Sequence, residues 1–234
     1  MPNPVLLNNI DHADLRVITT RGAAWGDDVA AVPTFPGEFR ELQAHYPIAF
    51  DRSGDGLVQP LVLLGLRQNQ NLYLDGERWD APCLPLAIAR QPFFIGVADG
   101  EPMVHIDLDH PRVSRDPALG QPLFLEFGGT TPFLQHMASL LHSLHDGMAG
   151  NAGFGQALLR HDLLEPFTLD VQLDDGSRHR LGGLHTIAEE RLCQLDGDAL
   201  AELARNGHLE AIYMAMASLS QLRGLIERAN RRHA

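Results

Sequence analysis

The chain has 234 residues, of which 44% are hydrophobic and 21% charged, and its 30 acidic against 18 basic residues give a formal net charge of −12. This composition is typical of a globular protein with a sizeable core, so extensive disorder and a disulfide-stapled miniature fold are excluded. The negative charge repels phosphate backbones and anionic lipids, so we expect no nucleic-acid partner. The sequence contains no lysine, which excludes imine chemistry on a lysine and lysine-dependent phosphoryl-transfer sites.

The N-terminus and the cysteines bear on the compartment. The first residues lack a basic segment followed by a long apolar one, and no stretch of about 18 apolar residues occurs later. We therefore expect a cytoplasmic protein without a signal peptide or a transmembrane segment. Cys83 and Cys193 lie in apolar surroundings and form no Cys-x-x-Cys pair, which predicts two buried, reduced thiols.

Up to about residue 128, the chain has short apolar runs of strand length, interrupted by short helices. Strands are predicted at residues 13–19, 29–32, 48–50, 61–66, 71–74, 93–97, 103–108 and 123–127. Helical turns are predicted at 38–46 and 84–90, where prolines bound the segments. Asp75-Gly76 ends one strand, and Asp99-Gly100 predicts a hairpin. This pattern indicates a meander with helical inserts.

From residue 129 the apolar residues follow a helical period, first over 133–148 and again around 154–159. One hairpin interrupts the helices: apolar and polar residues alternate from Phe167 to Leu173, Asp175-Gly176 occupies the turn, and 178–181 returns. A short helix is predicted at 198–204.

A long C-terminal helix is predicted from His208 to about Arg231. Its apolar face, which we expect to pack on the sheet, comprises Leu209, Ile212, Tyr213, Met216, Leu219, Leu222 and Ile226. We therefore predict an α+β fold in a single domain over residues 1–234, whose strand-rich part (1–128) and helix-rich part (129–234) share one core.

A metal site is the most specific chemical hypothesis that the residues offer. Strand alternation would place His105 and Asp107 on one face, and a His-x-Asp pair supplies two of the three ligands of the facial triad that holds non-haem iron. The third ligand would be His185 or His179, with Arg191 for the 2-oxoglutarate carboxylate. The alternative is an ordinary strand with Ile106 and Leu108 facing inward, and we favour that alternative, with no cofactor.

No catalytic residue set is predicted. The sequence has neither the Gly-x-Ser-x-Gly elbow of serine hydrolases nor the Gly-x-Gly-x-x-Gly fingerprint of dinucleotide-binding folds. The chain is therefore expected to act by binding rather than by catalysis. The candidate recognition residues are Asn71, Trp79, Arg90 and Phe93, because tryptophan and arginine are enriched at binding hot spots and the adjacent prolines pre-order this segment. The alternative role of these residues is core packing.

A series of collinear phrases resembles the SapC family of bacterial proteins. The phrases are Val32-Pro33, Glu38-Phe39, Tyr46 to Phe50, Leu64 to Leu66, Asn71 to Tyr73, Trp79, Arg90 to Phe93, Pro122 to Phe124, Leu163 to Pro166, Gly183 to Ile187, Asn206 to Tyr213, and Ser218-Leu219. They extend from about His12 to about Arg228. Relatives often carry an arginine pair before Pro-Phe, of which Arg90 alone is present here.

The resemblance implies a function in general terms. The family takes its name from a protein associated with a paracrystalline surface layer, and many relatives resemble cytoplasmic accessory proteins encoded near TonB-dependent receptors, tryptophan halogenases and cupin-like proteins. Two hypotheses follow from the resemblance: a non-enzymatic binding protein of a surface-layer or uptake system with a protein or peptide partner, and an accessory to a halogenase-like or peptide-modifying enzyme. The residues themselves leave a third open, an Fe(II)/2-oxoglutarate oxygenase using His105 and Asp107.

Overall fold

The computed structural model describes residues 3–52, 54, 56–98 and 101–233, and it has the mixed composition of an α+β protein. The strands are β1 (Pro4–Leu6), β2 (Arg16–Val17), β3 (Ala31–Pro33), β4 (Ile48–Arg52), β5 (Val58–Leu63), β6 (Leu74–Asp75), β7 (Arg78–Trp79), β8 (Phe93–Ala98), β9 (Glu101–Asp107), β10 (Val113–Ser114), β11 (Gln121–Pro122), β12 (Phe124–Leu125), β13 (Gly129–Thr130), β14 (Leu164–Gln172) and β15 (Arg178–Ile187). The helices are α1 (Phe39–Leu42), α2 (Leu86–Ala89), α3 (Pro132–Ala149), α4 (Asn151–Arg160), α5 (Glu189–Cys193), α6 (Gly197–Arg205), α7 (His208–Ser218) and α8 (Gln221–His233).

The chain forms two compact units that interleave along the sequence. The first unit comprises the described residues up to Asp28 together with Leu74–Trp79 and Leu86–Asp146. The second comprises Val29–Tyr73, Asp80–Pro85 and the described residues from Gly147 onward. The boundary predicted at residue 128 is not a boundary of either unit. That both parts share one core stays a prediction.

The first unit is built from short antiparallel strands around one apolar cluster. Its sheets have the orders β1-β9-β8 and β10-β2-β11, and β6–β7 and β12–β13 form separate hairpins. Phe93 and Ile106 face each other across β8 and β9, and both are completely buried. Leu134, Met137 and Leu141 of α3 close the same cluster, as their helical spacing predicts.

The second unit is built on a five-stranded antiparallel sheet with the order β14-β15-β4-β5-β3. The inner residues Ile48, Phe50 and Val62 are completely buried, and Phe154 of α4 packs on Phe50 with ring centroids 6.3 Å apart. Gly155 permits this close approach, because a Cβ at that position would lie 2.9 Å from the Cβ of Val58. The helices of this unit therefore pack on the sheet.

The predicted β14–β15 hairpin is present, and its outer strand is protected against further pairing. β14 is an edge strand that carries Pro166, which cannot donate a backbone hydrogen bond. The register shifts between Phe167 and Leu169, and Gly183 on the facing strand has a φ of +82°. A proline and a bulge are two devices by which natural edge strands avoid adding another strand.

The C-terminal helical segment extends from His208 to His233, with a short turn at Leu219 and Ser220 between α7 and α8. Helix α7 packs on β4 and β15 as predicted for this segment, but the predicted face is buried only in part: Ile212 is completely buried, whereas Leu209, Met216 and Leu219 are half-buried. The buried residues of α7 are Ala211, Ile212, Ala215 and Ser218. The prediction that Tyr213 faces the core is wrong, because Tyr213 is 52% exposed. Small side chains allow a helix to lie close to a sheet, so the side of α7 with the smaller residues is buried and not the side with the largest apolar residues.

Other expectations are confirmed or corrected by the structure. The strand pair β8–β9 confirms the predicted hairpin, although its turn at Asp99-Gly100 lies outside the described residues. The helix predicted at 38–46 is regular only over Phe39–Leu42, preceded by a 3₁₀ turn. The two cysteines form no disulfide; Cys193 is exposed, which corrects the prediction of two buried thiols, and Cys83 is half-buried. Among the described residues, no helix has both the length and the apolarity to cross a bilayer.

Ser218 generates a prediction for the stability of the second unit. Its hydroxyl accepts a hydrogen bond from the backbone N–H of Ile48 (2.9 Å) and donates to the carbonyl of Ala215, and Ser218 and Ile48 are fully buried. We expect Ser218→Ala to lower the free energy of unfolding by about 1–3 kcal/mol, because a buried donor loses its acceptor. Urea denaturation measures this change.

Ser220→Ala is the matched control, since the Ser220 hydroxyl also bonds a helix carbonyl, that of Ala217, but is exposed. Its free energy of unfolding should stay within about 0.5 kcal/mol of the unmodified protein. Equal losses in the two variants would show that the contact to Ile48 contributes nothing specific.

Candidate functional site

The first unit contains a buried ion pair between Asp27 and Arg112. An Nη2 atom of Arg112 lies 2.6 Å from Oδ2 of Asp27, and the two side chains are 1% and 0% exposed. Arg112 also donates through Nη1 to the carbonyls of Ile18 (2.8 Å) and Thr20 (2.6 Å). The guanidinium thus links the segment that follows β2 to the carboxylate of Asp27, at a depth where each charge needs the other.

A tight glycine-rich loop positions the carboxylate of Asp27. The backbone N–H of Gly22 donates to Oδ2 of Asp27 (2.9 Å), and a 3₁₀ turn over Ala23–Trp25 closes the loop. The turn ends at Gly26, whose φ of +83° is strained for any residue with a side chain. The sequence Arg21 to Asp27 therefore folds so that its acidic residue points inward.

A second guanidinium, that of Arg21, approaches the same carboxylate. Its Nη1 lies 3.7 Å from Oδ1 of Asp27, and the side chain is 17% exposed. The same nitrogen donates to the carbonyl of Ile88 at the end of α2 (3.4 Å). Burial and the charge of Arg112 lower the pKa of Arg21, whereas Asp27 raises it. Two cations therefore share one anion.

Arg90 follows α2 and is fixed in a reciprocal turn. The Nη1 of Arg90 donates to the carbonyl of Phe93 (2.8 Å), and the N–H of Phe93 donates to the carbonyl of Arg90 (2.8 Å). The peptide bond between Gln91 and Pro92 in this turn is cis. Arg90 is half-buried, and burial lowers its pKa. No carboxylate among the described residues lies within ion-pair distance of its guanidinium.

His110 and Gln91 complete the cluster. The two side chains cover Gly26, where a Cβ would lie 3.4 Å from Nε2 of His110 and 3.8 Å from Oε1 of Gln91. Burial lowers the pKa of His110; Arg112 and Arg90 lower it further, and Asp107 and Asp27 raise it. Its Nδ1 accepts the N–H of Arg112 (3.2 Å), which places the ring proton of the neutral form on Nε2.

The four predicted recognition residues are distributed between the two units. Asn71 lies in the second unit and is completely buried; its side-chain oxygen accepts the N–H of Tyr73 (3.0 Å). Phe93 is completely buried in the core of the first unit. Trp79 and Arg90 are half-buried in the first unit. Asn71 and Phe93 are thus core positions, and the recognition role of all four residues stays a prediction.

The residues of the alternative metal site have other contacts. His105 stacks on Phe94, with ring centroids 5.7 Å apart, and its Nδ1 lies 3.1 Å from the carbonyl of Met103. The carboxylate of Asp107 accepts the N–H groups of Asn3 (2.8 Å) and Asp109 (3.1 Å). His185 belongs to the second unit. In the part of the chain that the structure describes, no group of three His, Cys, Asp or Glu side chains could hold a metal ion.

We call Arg21, Asp27, Arg90, Gln91, His110 and Arg112 the arginine cluster. It offers a fixed guanidinium and a largely neutral imidazole, which suits recognition of an anion, and it has no nucleophile with an adjacent base. Of the six residues of this cluster, the sequence predicted a binding role only for Arg90. The features of the sequence that could have pointed to this cluster are the glycines around Asp27 and the Pro111-Arg112 pair. Neither feature shows which charged residues are buried together.

A family model for SapC matches residues 7–225 of the 234 residues. The chain belongs to the SapC family. Comparisons with curated proteins and with solved structures gave no match. The SapC match includes all residues of the arginine cluster, so this cluster is part of the family domain of the chain and not an appended segment.

The ion pair generates a prediction for stability. Asp27→Asn leaves Arg112 buried without its counter-charge, and we expect a loss of about 3–5 kcal/mol in the free energy of unfolding. Thermal or urea unfolding of the complete chain measures it. Asp14→Asn is the control, because Asp14 pairs with Arg115 at an exposed position and solvent screens that pair. A wild-type unfolding midpoint for Asp27→Asn would contradict this account of the pair.

The metal hypothesis has its own test. Because His105 and Asp107 are held by other groups, we expect the purified protein to contain no stoichiometric transition metal and to show no thermal shift with Fe(II) and 2-oxoglutarate. A ligand at about 100 times its dissociation constant would add about 2.7 kcal/mol of stability, which is readily detected. A clear shift that disappears in His105→Ala would establish the metal site instead.

Proposed function

We propose that the protein is a non-enzymatic binding or accessory protein that works in the cytoplasm on components of a bacterial surface-layer or TonB-dependent uptake and modification system. Membership of the SapC family supports the general setting, through the associations that the family resemblance implies. The structural observation that carries the binding role is a group of exposed apolar side chains in the first unit. We call Ile10, Leu125 and Phe127 the apolar loop patch.

Phe127 is presented by a hairpin that holds it away from the core. β12 and β13 pair Leu125 with Gly129, and the N–H of Gly128 donates to the carbonyl of Leu125 (3.0 Å). Gly128 has a φ of +94°, the left-handed conformation that three-residue hairpin loops require of their last position. Phe127 therefore occupies the tip of a defined turn, and it is 95% exposed.

Ile10 is presented by a neighbouring loop. The side-chain oxygen of Asn8 accepts the N–H groups of Ile10 (3.0 Å) and Asp11 (2.8 Å), and this turn holds Ile10 85% exposed. The two loops touch, because a Cβ on Gly128 would lie 3.4 Å from Nδ2 of Asn9. Phe127 precedes Gly128 in the chain and Ile10 follows Asn9, so both exposed residues are next to this contact.

An apolar patch on hydrogen-bonded turns is suited to docking. Single exposed apolar residues are common, but three on adjoining loops, including a phenylalanine, indicate an interaction surface. Leu125 contributes a third side chain, 55% exposed. Because the turns are already ordered, binding costs little conformational entropy. Glu126 and Asp11 flank the patch, so the expected partner surface has an apolar pocket with a basic rim.

Arg90 and Trp79 form the second part of the proposed binding role. The observation in favour of it is the half-buried Arg90 guanidinium, which has no carboxylate partner among the described residues. This feature fits an accessory protein that holds a peptide or an amino acid for a modifying enzyme, which is the second function that the family resemblance implies.

A pull-down from the native host tests the docking role. We expect the wild-type protein to retain surface-layer proteins, TonB-dependent receptors or their modifying enzymes, and Phe127→Ser to lose them, because the central anchor of the patch is removed. Truncation of an anchor residue typically weakens binding by about 2 kcal/mol or more, or roughly thirtyfold. Mass spectrometry identifies the retained proteins and quantifies the loss.

Leu57→Ser is the matched control, because Leu57 is also exposed (61%) but lies in the second unit. Both variants should keep the unfolding midpoint of the wild type, since exposed side chains contribute little to the core. Identical protein sets retained by wild type and Phe127→Ser would show that the apolar loop patch is not the docking surface.

A further inference from the structure

We propose that the arginine cluster is a binding site for a small carboxylate ligand that carries an N–H donor next to its carboxylate, as an amino acid derivative or a peptide C-terminus does. The proposal deepens the role given to Arg90 above and rests on it. It is independent of the apolar loop patch, which involves other residues of the same unit.

The first observation is the uncompensated charge of Arg90. Its guanidinium is half-buried and anchored through Nη1 to the carbonyl of Phe93 (2.8 Å). No carboxylate among the described residues is in ion-pair contact with it, and a guanidinium taken partly out of water without a counter-charge is unfavourable. One edge of the guanidinium is held by the protein, which leaves the other donors for a ligand.

The second observation is the surrounding excess of positive charge. Arg21 and Arg112 both contact Asp27, so one carboxylate serves two guanidinium groups before Arg90 is added. Asp107, the other carboxylate whose charge acts on His110, already accepts two backbone N–H groups. An anion that enters the cluster would meet favourable charge without displacing an existing ion pair.

The third observation is an unused acceptor on Gln91, the residue that follows Arg90. Oε1 of Gln91 is buried and has no hydrogen-bond partner among the described residues, and it lies with the ring of His110 over Gly26. A buried acceptor without a donor is unfavourable and is commonly satisfied by a ligand or a water molecule. An N–H group next to a bound carboxylate would supply that donor, which is why the ligand is expected to have one.

A carboxylate fits the site better than a phosphate. The planar guanidinium matches the two oxygens of a carboxylate, and within the arginine cluster only Arg90 lacks a carboxylate partner among the described residues. Phosphate sites commonly combine several cations with backbone N–H groups at a helix start, whereas Arg90 follows the end of the short helix α2. The net charge of −12 also disfavours a doubly charged ligand more than a singly charged one.

Isothermal titration calorimetry on the complete chain at constant ionic strength tests the proposal. The probe is N-acetylglycine, which has a carboxylate and an adjacent N–H, and N-acetylglycinamide is the probe without the charge. We expect the acid to bind and the amide to bind at least about tenfold more weakly. Arg90→Gln should weaken binding of the acid by about tenfold or more, while Arg78→Gln, at an exposed pair with Asp75, should change it less than about twofold.

The imidazole of His110 provides a second readout, by NMR titration. Arg90 and Arg112 lower the pKa of His110, while Asp107 and Asp27 raise it. A carboxylate bound to Arg90 offsets part of the lowering, so the pKa of His110 should rise when N-acetylglycine is bound. If Arg90 only stabilised the fold, addition of N-acetylglycine would leave the pKa of His110 unchanged.

Three outcomes would overturn the proposal: equal binding of the acid and the amide, wild-type affinity in folded Arg90→Gln, or tighter binding of inorganic phosphate than of N-acetylglycine. Arg90→Lys keeps the charge without the planar fork, and we expect intermediate affinity; it serves as the test variant if Arg90→Gln does not fold. Phe127→Ser should bind N-acetylglycine like the wild type, so failure of the docking role and failure of this site are distinguishable.

Discussion

Asp27 and Arg112 are both fully buried in the first unit, so neither charge is compensated by water and each depends on the other. Both side chains also bind the backbone of neighbouring loops: Arg112 donates to the carbonyls of Ile18 and Thr20, and Asp27 accepts from the N–H of Gly22. Apart from the β8–β9 hairpin, the strands of this unit are short and offer few ladder hydrogen bonds. Buried side chains therefore supply the hydrogen bonds that the backbone N–H and C=O groups of the loops need. The loops are ordered as a result, and they present their exposed side chains at fixed positions.

The second unit relies on the same device within a larger sheet. The side-chain amide of Asn151 donates to the carbonyl of Thr34 (2.9 Å), and the Thr34 hydroxyl donates to the buried carboxylate of Glu38 (2.7 Å). Arg228 lies over the ring of Tyr73, 4.4 Å from its centroid, where burial raises the pKa of Tyr73 to about 12. These contacts explain why many polar residues of the chain are structural. Arg90, a half-buried arginine without a carboxylate partner among the described residues, is the group on which the proposed carboxylate site rests.

The periodicity of the sequence predicted the α+β class, both long hairpins and the helix α3, because those elements bury one regular face. It failed where side-chain size outweighed hydrophobicity, as in α7, whose buried face consists largely of Ala211, Ala215 and Ser218. The candidate site was predicted only in part. Arg90 was identified from its residue type, but the burial of Asp27 with Arg112 results from contacts between loops 85 positions apart, and no local pattern encodes such a contact.

The interleaving of the two units has a consequence for the order of events on the ribosome. The strands β3, β4 and β5 are synthesised within Val29–Tyr73, before most of the first unit, yet their partner β15 and the helix α7 are among the last segments to emerge. At about 5–20 residues per second, these apolar strands wait on the order of ten seconds for their covering elements. The first unit, by contrast, is complete once Asp146 has left the exit tunnel. Nascent chains of this protein thus pass through a stage in which the first unit can fold while the central strands of the second unit are not yet covered by β15 and α7. A chaperone that binds extended apolar segments would bind these strands at that stage.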